Sequence, residues 1–167
     1  TGSGCILLSL LHYSNDCEGL GVDLSAEALE VAGRNVLKVL TPEKAEHAHF
    51  LQSDLFEKVE GKFEIIVSNP PYIASAEVEK LMPEVRDHEP RMALDGTEDG
   101  LHFYRRIIEE AGKHLVSSGM LFFEIGYDQG AAVKELLDNH GFKDTRVIQD
   151  LAGKDRVVCG AWQTAGV

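Results

Sequence analysis

Asn69-Pro-Pro-Tyr72 concentrates more chemistry than any other stretch of this 167-residue chain. The prolines stiffen the turn and have no N–H to donate, so the carbonyls of Asn69 and Pro70 can act as acceptors. The Asn69 side chain adds another oxygen and Tyr72 a flat aromatic face. Such a set suits a planar NH2 group, whose two hydrogens meet two acceptors while a ring covers its plane. A structural turn with a buried tyrosine is the plainer alternative.

Three other segments have the makings of a nucleotide-like site. Thr1-Gly-Ser-Gly4 is a glycine turn followed at once by the apolar run Cys5–Leu11. Glycines admit a ligand close to the backbone, and a helix opening there favours a negative group. Asp23 with Leu24 follows about 20 residues later, at the end of a short apolar strand, where a carboxylate can take both hydroxyls of a ribose. It could equally cap a helix. Ser53-Asp54-Leu55 sets an acceptor beside an apolar residue, which fits the amino group and face of an adenine, or an ordinary turn.

The elements that would carry these residues alternate. Helices are expected at Cys5–Leu11, at Ala26–Leu40 behind the N-cap Ser25, at Leu101–Leu115 and at Ala131–Asn139. Strands are expected at Leu20–Val22, His49–Gln52, Phe63–Ser68, Met120–Ile125, Phe142–Gln149 and Val157–Trp162. Thr41-Pro42 should end the second helix. The stretch Ile73–Gly100 reads as irregular, with one short helix at Ala76–Leu81, and holds eight acidic and three basic residues. A loop of that length usually acts as a lid or binding loop. The pattern predicts an α/β, Rossmann-like, mostly parallel sheet. Its last two strands, joined by the short loop Asp150–Arg156, must pair antiparallel. In such sheets ligands gather at the carboxyl ends of strands, where all four segments fall.

Composition narrows the class further. There are 28 acidic and 16 basic residues, a net charge of −12, which disfavours a nucleic-acid partner. No apolar run approaches the ~18 residues of a membrane helix, and no basic-then-apolar leader opens the chain. Cys5, Cys17 and Cys159 contain no C-x-x-C pair and read as reduced thiols, which places the protein in the cytoplasm. His47 and His49 form an H-x-H pair without nearby cysteine or carboxylate ligands, so no metal is expected.

Taken in order, Thr1–Gly4, Val22-Asp23, Ser53-Asp54-Leu55-Phe56 and Asn69–Tyr72 resemble the class I S-adenosylmethionine-dependent methyltransferases of the amino-group type. Glu89-Pro-Arg-Met-Ala-Leu-Asp-Gly96, Asp99-Gly-Leu101, Glu124-Ile-Gly-Tyr-Asp-Gln129 and Asp150-Leu-Ala-Gly-Lys-Asp-Arg156 narrow the resemblance to the release-factor glutamine N5-methyltransferases (HemK/PrmC type). The resemblance implies an enzyme that takes a methyl group from S-adenosyl-L-methionine, leaving S-adenosyl-L-homocysteine. The acceptor would be the glutamine of the Gly-Gly-Gln motif of a peptide-chain release factor. It implies cofactor contacts from Thr1, Gly2, Ser3, Gly4, Asp23, Leu24, Ser53, Asp54, Leu55 and Asn69. Asn69, Pro70, Pro71 and Tyr72 would be catalytic, and these four with Glu89 and Pro90 would hold the substrate. In that family a strand with an acidic residue precedes the glycine turn, and a helical domain precedes that strand. Residues 1–167 are therefore expected to be one catalytic domain that starts inside its glycine turn. Two other readings stay open: an amino-methyltransferase acting on adenine N6 in DNA or RNA, and a cofactor-binding protein without activity.

Overall fold

The computed structural model describes residues 1–86 and 90–163, in two compact units, Thr1–Glu60 and Gly61–Val167. The first unit holds α1 (Cys5–Tyr13), β1 (Gly19–Asp23), α2 (Ala26–Val39), α3 (Pro42–Ala45) and β2 (Ala48–Gln52). β1 and β2 are parallel, with Asp23 opposite Gln52. Ser25 caps α2 as its residue type predicts: its Oγ accepts from the Ala28 N–H at 3.2 Å. Leu8 and Leu11 of α1 pack in one apolar cluster with Val36 and Leu40. Thr41-Pro42 does end α2, but it also starts α3. Proline fits a first helical position because its φ is preset and its missing N–H would have no partner there, and Thr41 Oγ1 accepts from the Lys44 N–H.

The second unit runs β3 (Phe63–Ser68), α4 (Ser75–Val78), α5 (Pro83–Arg86), α6 (Arg91–Leu94), α7 (His102–His114), β4 (Leu115–Glu124), α8 (Gly130–Asn139), β5 (Phe142–Gln149) and β6 (Asp155–Trp162). Its sheet has the order β3-β4-β6-β5. β3 and β4 are parallel, while β6 runs antiparallel to both β4 and β5. The reversed final strand is thus present, inserted one place in from the sheet edge. β4 starts earlier than expected, directly after α7. Phe63 pairs with Leu115 and Ile65 with Met120, so residues 116–119 bulge out of register, around Ser118 with φ 65°.

The amphipathic face of α7 buries Tyr104, Ile107, Ile108 and Ala111, and Leu121 and Phe123 of β4, Val133 and Leu137 of α8, and Val158 of β6 are buried with them. Tyr104 meets Phe123 edge to face at 5.1 Å. The stretch Ile73–Gly100 is more helical than its sequence suggests. Among its described residues α4, α5 and α6 are single turns of four residues each, too short to show a 3.6-residue period. Among the described residues all three cysteines are free, and no helix is long and apolar enough to cross a membrane.

Candidate functional site

In the first unit the glycine turn and the ends of β1 and β2 converge on Asp23. Its Oδ2 accepts from the Gly2 N–H at 2.8 Å and from the Thr1 amine at 3.0 Å, and its Oδ1 from the Ser25 N–H at 2.9 Å. Burial pushes this carboxyl up, and the N–H groups of Gly2 and Ser25 lead the hydrogen bonds that hold its pKa below the ordinary value. Asp23 is therefore an anion at neutral pH. Gly2 and Gly4 both have positive φ, 56° and 82°. A Cβ at Gly4 would press on Ala32 at 3.2 Å, whereas one at Gly2 would meet nothing within 4 Å, so space lies open over Gly2. Asn35 Nδ2 donates to the Ser3 carbonyl at 3.0 Å and ties the turn to α2.

Ser53 N–H donates to the Asp23 carbonyl at 3.0 Å, which joins the second predicted strand end to the first. Ser53 is buried, and its Oγ accepts from the Lys58 N–H. Leu55 has φ 48°, a left-handed conformation that is costly for a branched side chain and clusters at ligand sites. Leu24 is exposed. The structure thus brings Thr1, Gly2, Ser25 and Ser53 onto Asp23 within this unit.

In the second unit Asn69–Tyr72 leaves the end of β3 with Asn69 exposed, Pro70 buried, and Pro71 and Tyr72 half-buried. A cavity of about 170 Å³ is lined by Asn69, Pro70, Tyr72, Ile73, Ala93 and Leu94. The turn is held to α6 by main-chain bonds. Ile73 N–H donates to the Leu94 carbonyl at 3.0 Å, Gly96 N–H to the Ile73 carbonyl at 2.8 Å, and Ser75 N–H to the Thr97 carbonyl at 2.9 Å. Asp95 locks this junction, accepting from Ser75 Oγ at 2.6 Å and the Thr97 N–H at 2.9 Å, and from Arg91 Nε at 3.3 Å. The Ser75 hydroxyl foremost, then the Thr97 N–H, hold its carboxyl below the usual range. Gly96 is required by proximity: a Cβ there would lie 2.8 Å from Tyr72 Cα and 2.9 Å from the Pro71 carbonyl oxygen. Pro90 is exposed and precedes α6, its carbonyl accepting from Ala93 N–H at 2.8 Å. It does not line the cavity, and Glu89 lies outside the described residues.

A second set of contacts supports the same turn from below, and sequence reasoning assigned it no role. Gln129 Nε2 donates to the Tyr72 carbonyl at 2.9 Å and to that of Gly100 at 3.4 Å. Its Oε1 accepts from the Gly126 N–H at 3.0 Å and stands 3.4 Å from Tyr104 Oη. Tyr104 Oη lies 3.0 Å from the Glu124 carbonyl. Burial, then Tyr72 and Glu124, push the Tyr104 phenol far above its ordinary range, so it stays a donor. Burial first, then Glu124, raise Tyr72 against the opposing effect of Arg156. Arg156 in turn bonds the Asp150 carboxylate at 3.2 Å and the Ile125 carbonyl at 3.4 Å. Gln129 closes the Glu124–Gln129 segment that carries part of the family resemblance, and that segment was its only signal. Among the described residues no group of His, Cys, Asp and Glu is arranged to hold a metal ion; His47 Nδ1 stands 3.9 Å from Glu18.

Comparison with known proteins places this geometry. Residues 1–85 match the methyltransferase small domain family. The release factor glutamine methyltransferase of Agrobacterium fabrum is 44% identical over 158 residues, covering 95% of this chain and 54% of that protein. The chain thus spans about half the length of the curated relatives it matches. A methyltransferase from Pyrococcus furiosus superposes with a TM-score of 0.69 over 98% of this chain and 72% of its own, at 17% identity. An RNA methyltransferase from Salinibacter ruber, solved in complex with S-adenosyl-L-homocysteine, superposes with a TM-score of 0.57 over 99% of this chain and 78% of its own, at 14% identity. The parallel strand pairs β1-β2 and β3-β4 with the reversed β6 are thus those of the class I methyltransferase fold, and with half of its residues matched this chain belongs to the methyltransferase small domain family.

Proposed function

We propose that residues 1–167 are the catalytic domain of a cytoplasmic methyltransferase that moves a methyl group from S-adenosyl-L-methionine to the side-chain amide nitrogen of a glutamine. The glutamine is that of the Gly-Gly-Gln motif of a peptide-chain release factor. The observation that carries this reading is the Asn69–Tyr72 turn, whose Asn69, Pro70 and Tyr72 line one small cavity and which is held by main-chain bonds to α6 and by the Gln129 side chain. The name of the Agrobacterium fabrum relative supports the substrate.

The first unit fits the cofactor. Open space over Gly2, an ionised Asp23 at a strand end and the left-handed Leu55 suit a ligand with a ribose and an adenine. Thr1 to Gly4 would pass along it, Asp23 and Leu24 would take the ribose, and Ser53, Asp54 and Leu55 the adenine. When bound, the cofactor supplies an electrophilic methyl group on a sulfonium.

Every other contribution comes from side chains and carbonyls. An amide nitrogen is a weak nucleophile because its lone pair is delocalised. Asn69 Oδ1 and the Pro70 carbonyl hold its two hydrogens and aim the lone pair, while Pro71 fixes the turn and Tyr72 covers the amide plane. Glu89 and Pro90 would border the incoming peptide. As the nitrogen gains positive charge these acceptors bind it more strongly than they bind the ground state, which lowers the barrier. One of the two held hydrogens then leaves to water as a proton, so that a neutral N-methyl amide remains.

The test offers labelled cofactor and the complete protein three acceptors: a release factor, the same factor with its Gly-Gly-Gln glutamine changed to alanine, and an adenine-containing duplex. Label on the first alone supports the reading. Label on the duplex transfers it to a nucleic-acid substrate, and equal label on both factors removes this glutamine as acceptor.

A further inference from the structure

We infer that Gln129 is a positioning residue for methyl transfer, acting through the Tyr72 carbonyl; this rests on the function proposed above. Its side-chain amide lies at a crossing of four main-chain and side-chain groups. The NH2 end donates to the Tyr72 and Gly100 carbonyls, and the oxygen end accepts from Gly126 N–H and lies 3.4 Å from Tyr104 Oη, whose proton goes to the nearer Glu124 carbonyl. No other side chain type of this length has two donors at one end and two lone pairs at the other.

The surroundings are shaped for that amide. A Cβ at Gly100 would lie 2.8 Å from Gln129 Nε2 and closer still to the Tyr72 carbonyl oxygen. A Cβ at Gly126 would lie 3.0 Å from Gln129 Oε1. Gly100 also has φ 72°, where glycine is the easy choice. Two glycines from different loops therefore make room for one amide, which links the strand end after β4 to the turn after β3. The Tyr72 carbonyl belongs to a residue that lines the cavity with Asn69 and Pro70. Releasing that carbonyl frees Tyr72 and the acceptors before it to drift, and a misplacement of about 1 Å in a reacting pair can cost on the order of 100-fold in rate.

The variants separate positioning from bulk. Gln129→Met keeps the length and loses both ends. Gln129→Glu keeps the accepting end and sets a carboxylate oxygen against the Tyr72 carbonyl. Protonating that carboxyl restores a donor, so Gln129→Glu should recover relative to wild type as pH falls. The titratable and charged groups around the position are Tyr72, Tyr104, Glu124, Asp128, Asp155 and Arg156; dividing by the wild-type profile removes their shared effect.

In the complete protein, Gln129→Met should lower kcat by about 10- to 100-fold, with cofactor affinity within about twofold. Hydrogen exchange at the Ile73 and Gly96 amides should quicken. Tyr104→Phe, which keeps the ring on Phe123, should give a smaller loss in the same direction. An unchanged kcat in Gln129→Met overturns the inference, as does a Gln129→Glu to wild-type ratio that is flat with pH. Unchanged exchange at Ile73 and Gly96 overturns it without any methyl transfer being measured, even if Gln129→Glu folds poorly. If wild type labels the adenine duplex instead of the glutamine, the substrate reading fails, and the same ratios taken on the duplex still decide the role of Gln129.

Discussion

At the scale of single residues, Asn69 and Asp23 separate the two halves of the chemistry. Asn69 is exposed and lines a cavity, and in the reaction proposed above its oxygen would face a nitrogen that becomes positive. Asn69→Ala should cut methyl transfer by about 10²–10³, by analogy with the loss of one preorganised oxyanion-hole donor. Cofactor affinity should stay within a few-fold. Steady-state kinetics with calorimetry tests both; an unchanged kcat removes Asn69 from the nucleophile's site. Asp23→Ala should do the reverse, weakening cofactor binding by about 1–3 kcal/mol through the loss of a charge-assisted acceptor. Unchanged affinity in calorimetry removes Asp23 from the cofactor site.

At the scale of elements, the critical joint is the one between the Asn69–Tyr72 turn and α6. Gly96→Ala forces a Cβ against Tyr72 Cα, Gly100 Cα and the Pro71 carbonyl, all backbone atoms that cannot rotate away. It should lower the rate by about 100-fold or unfold the second unit, read by kinetics beside a melting curve. Gly61→Ala is the contrasting case. Its φ is 85° but its surroundings are empty, so it should cost only about 1–2 kcal/mol of stability and leave the rate alone.

This joint also marks where the sequence stops being readable. The turn, the reversed β6 and the capped α2 were legible because Pro-Pro, a short loop and Ser25 each have a local physical consequence. Single-turn helices α4 to α6 leave no period. The Asp95 junction and the Gln129 amide act between residues far apart in the chain, and only folding brings them together. Leu55 was expected beside an adenine from its place next to an acceptor, whereas its left-handed backbone left no mark in the sequence.

At the scale of the whole molecule, the acidic surface has a definite pH signature. Asp23, Asp95, Asp138 and Asp150 are held below the ordinary value. Asp99 falls from 3.8 to about 2 beside Arg105. Such carboxyls bind fewer protons folded than unfolded, so they stabilise the fold above the unfolded pKa. That contribution fades as pH falls from about 4 through about 2 for Asp99. Denaturant midpoints measured downward from neutral pH should stay flat and then drop within that window, and Asp99→Asn should make the drop shallower. A midpoint insensitive to acid contradicts these ion pairs. With a net charge of −12, duplex DNA should show no salt-dependent binding in titration.

The most direct measurement is tandem mass spectrometry of a release factor after incubation with the complete protein and S-adenosyl-L-methionine. One methyl group on the side-chain amide nitrogen of the Gly-Gly-Gln glutamine, absent with Asn69→Ala, is the expected result. A methyl group on any other residue, or an unmodified release factor from a protein that binds the cofactor, contradicts the assignment of Asn69–Tyr72 as the site that holds a glutamine amide.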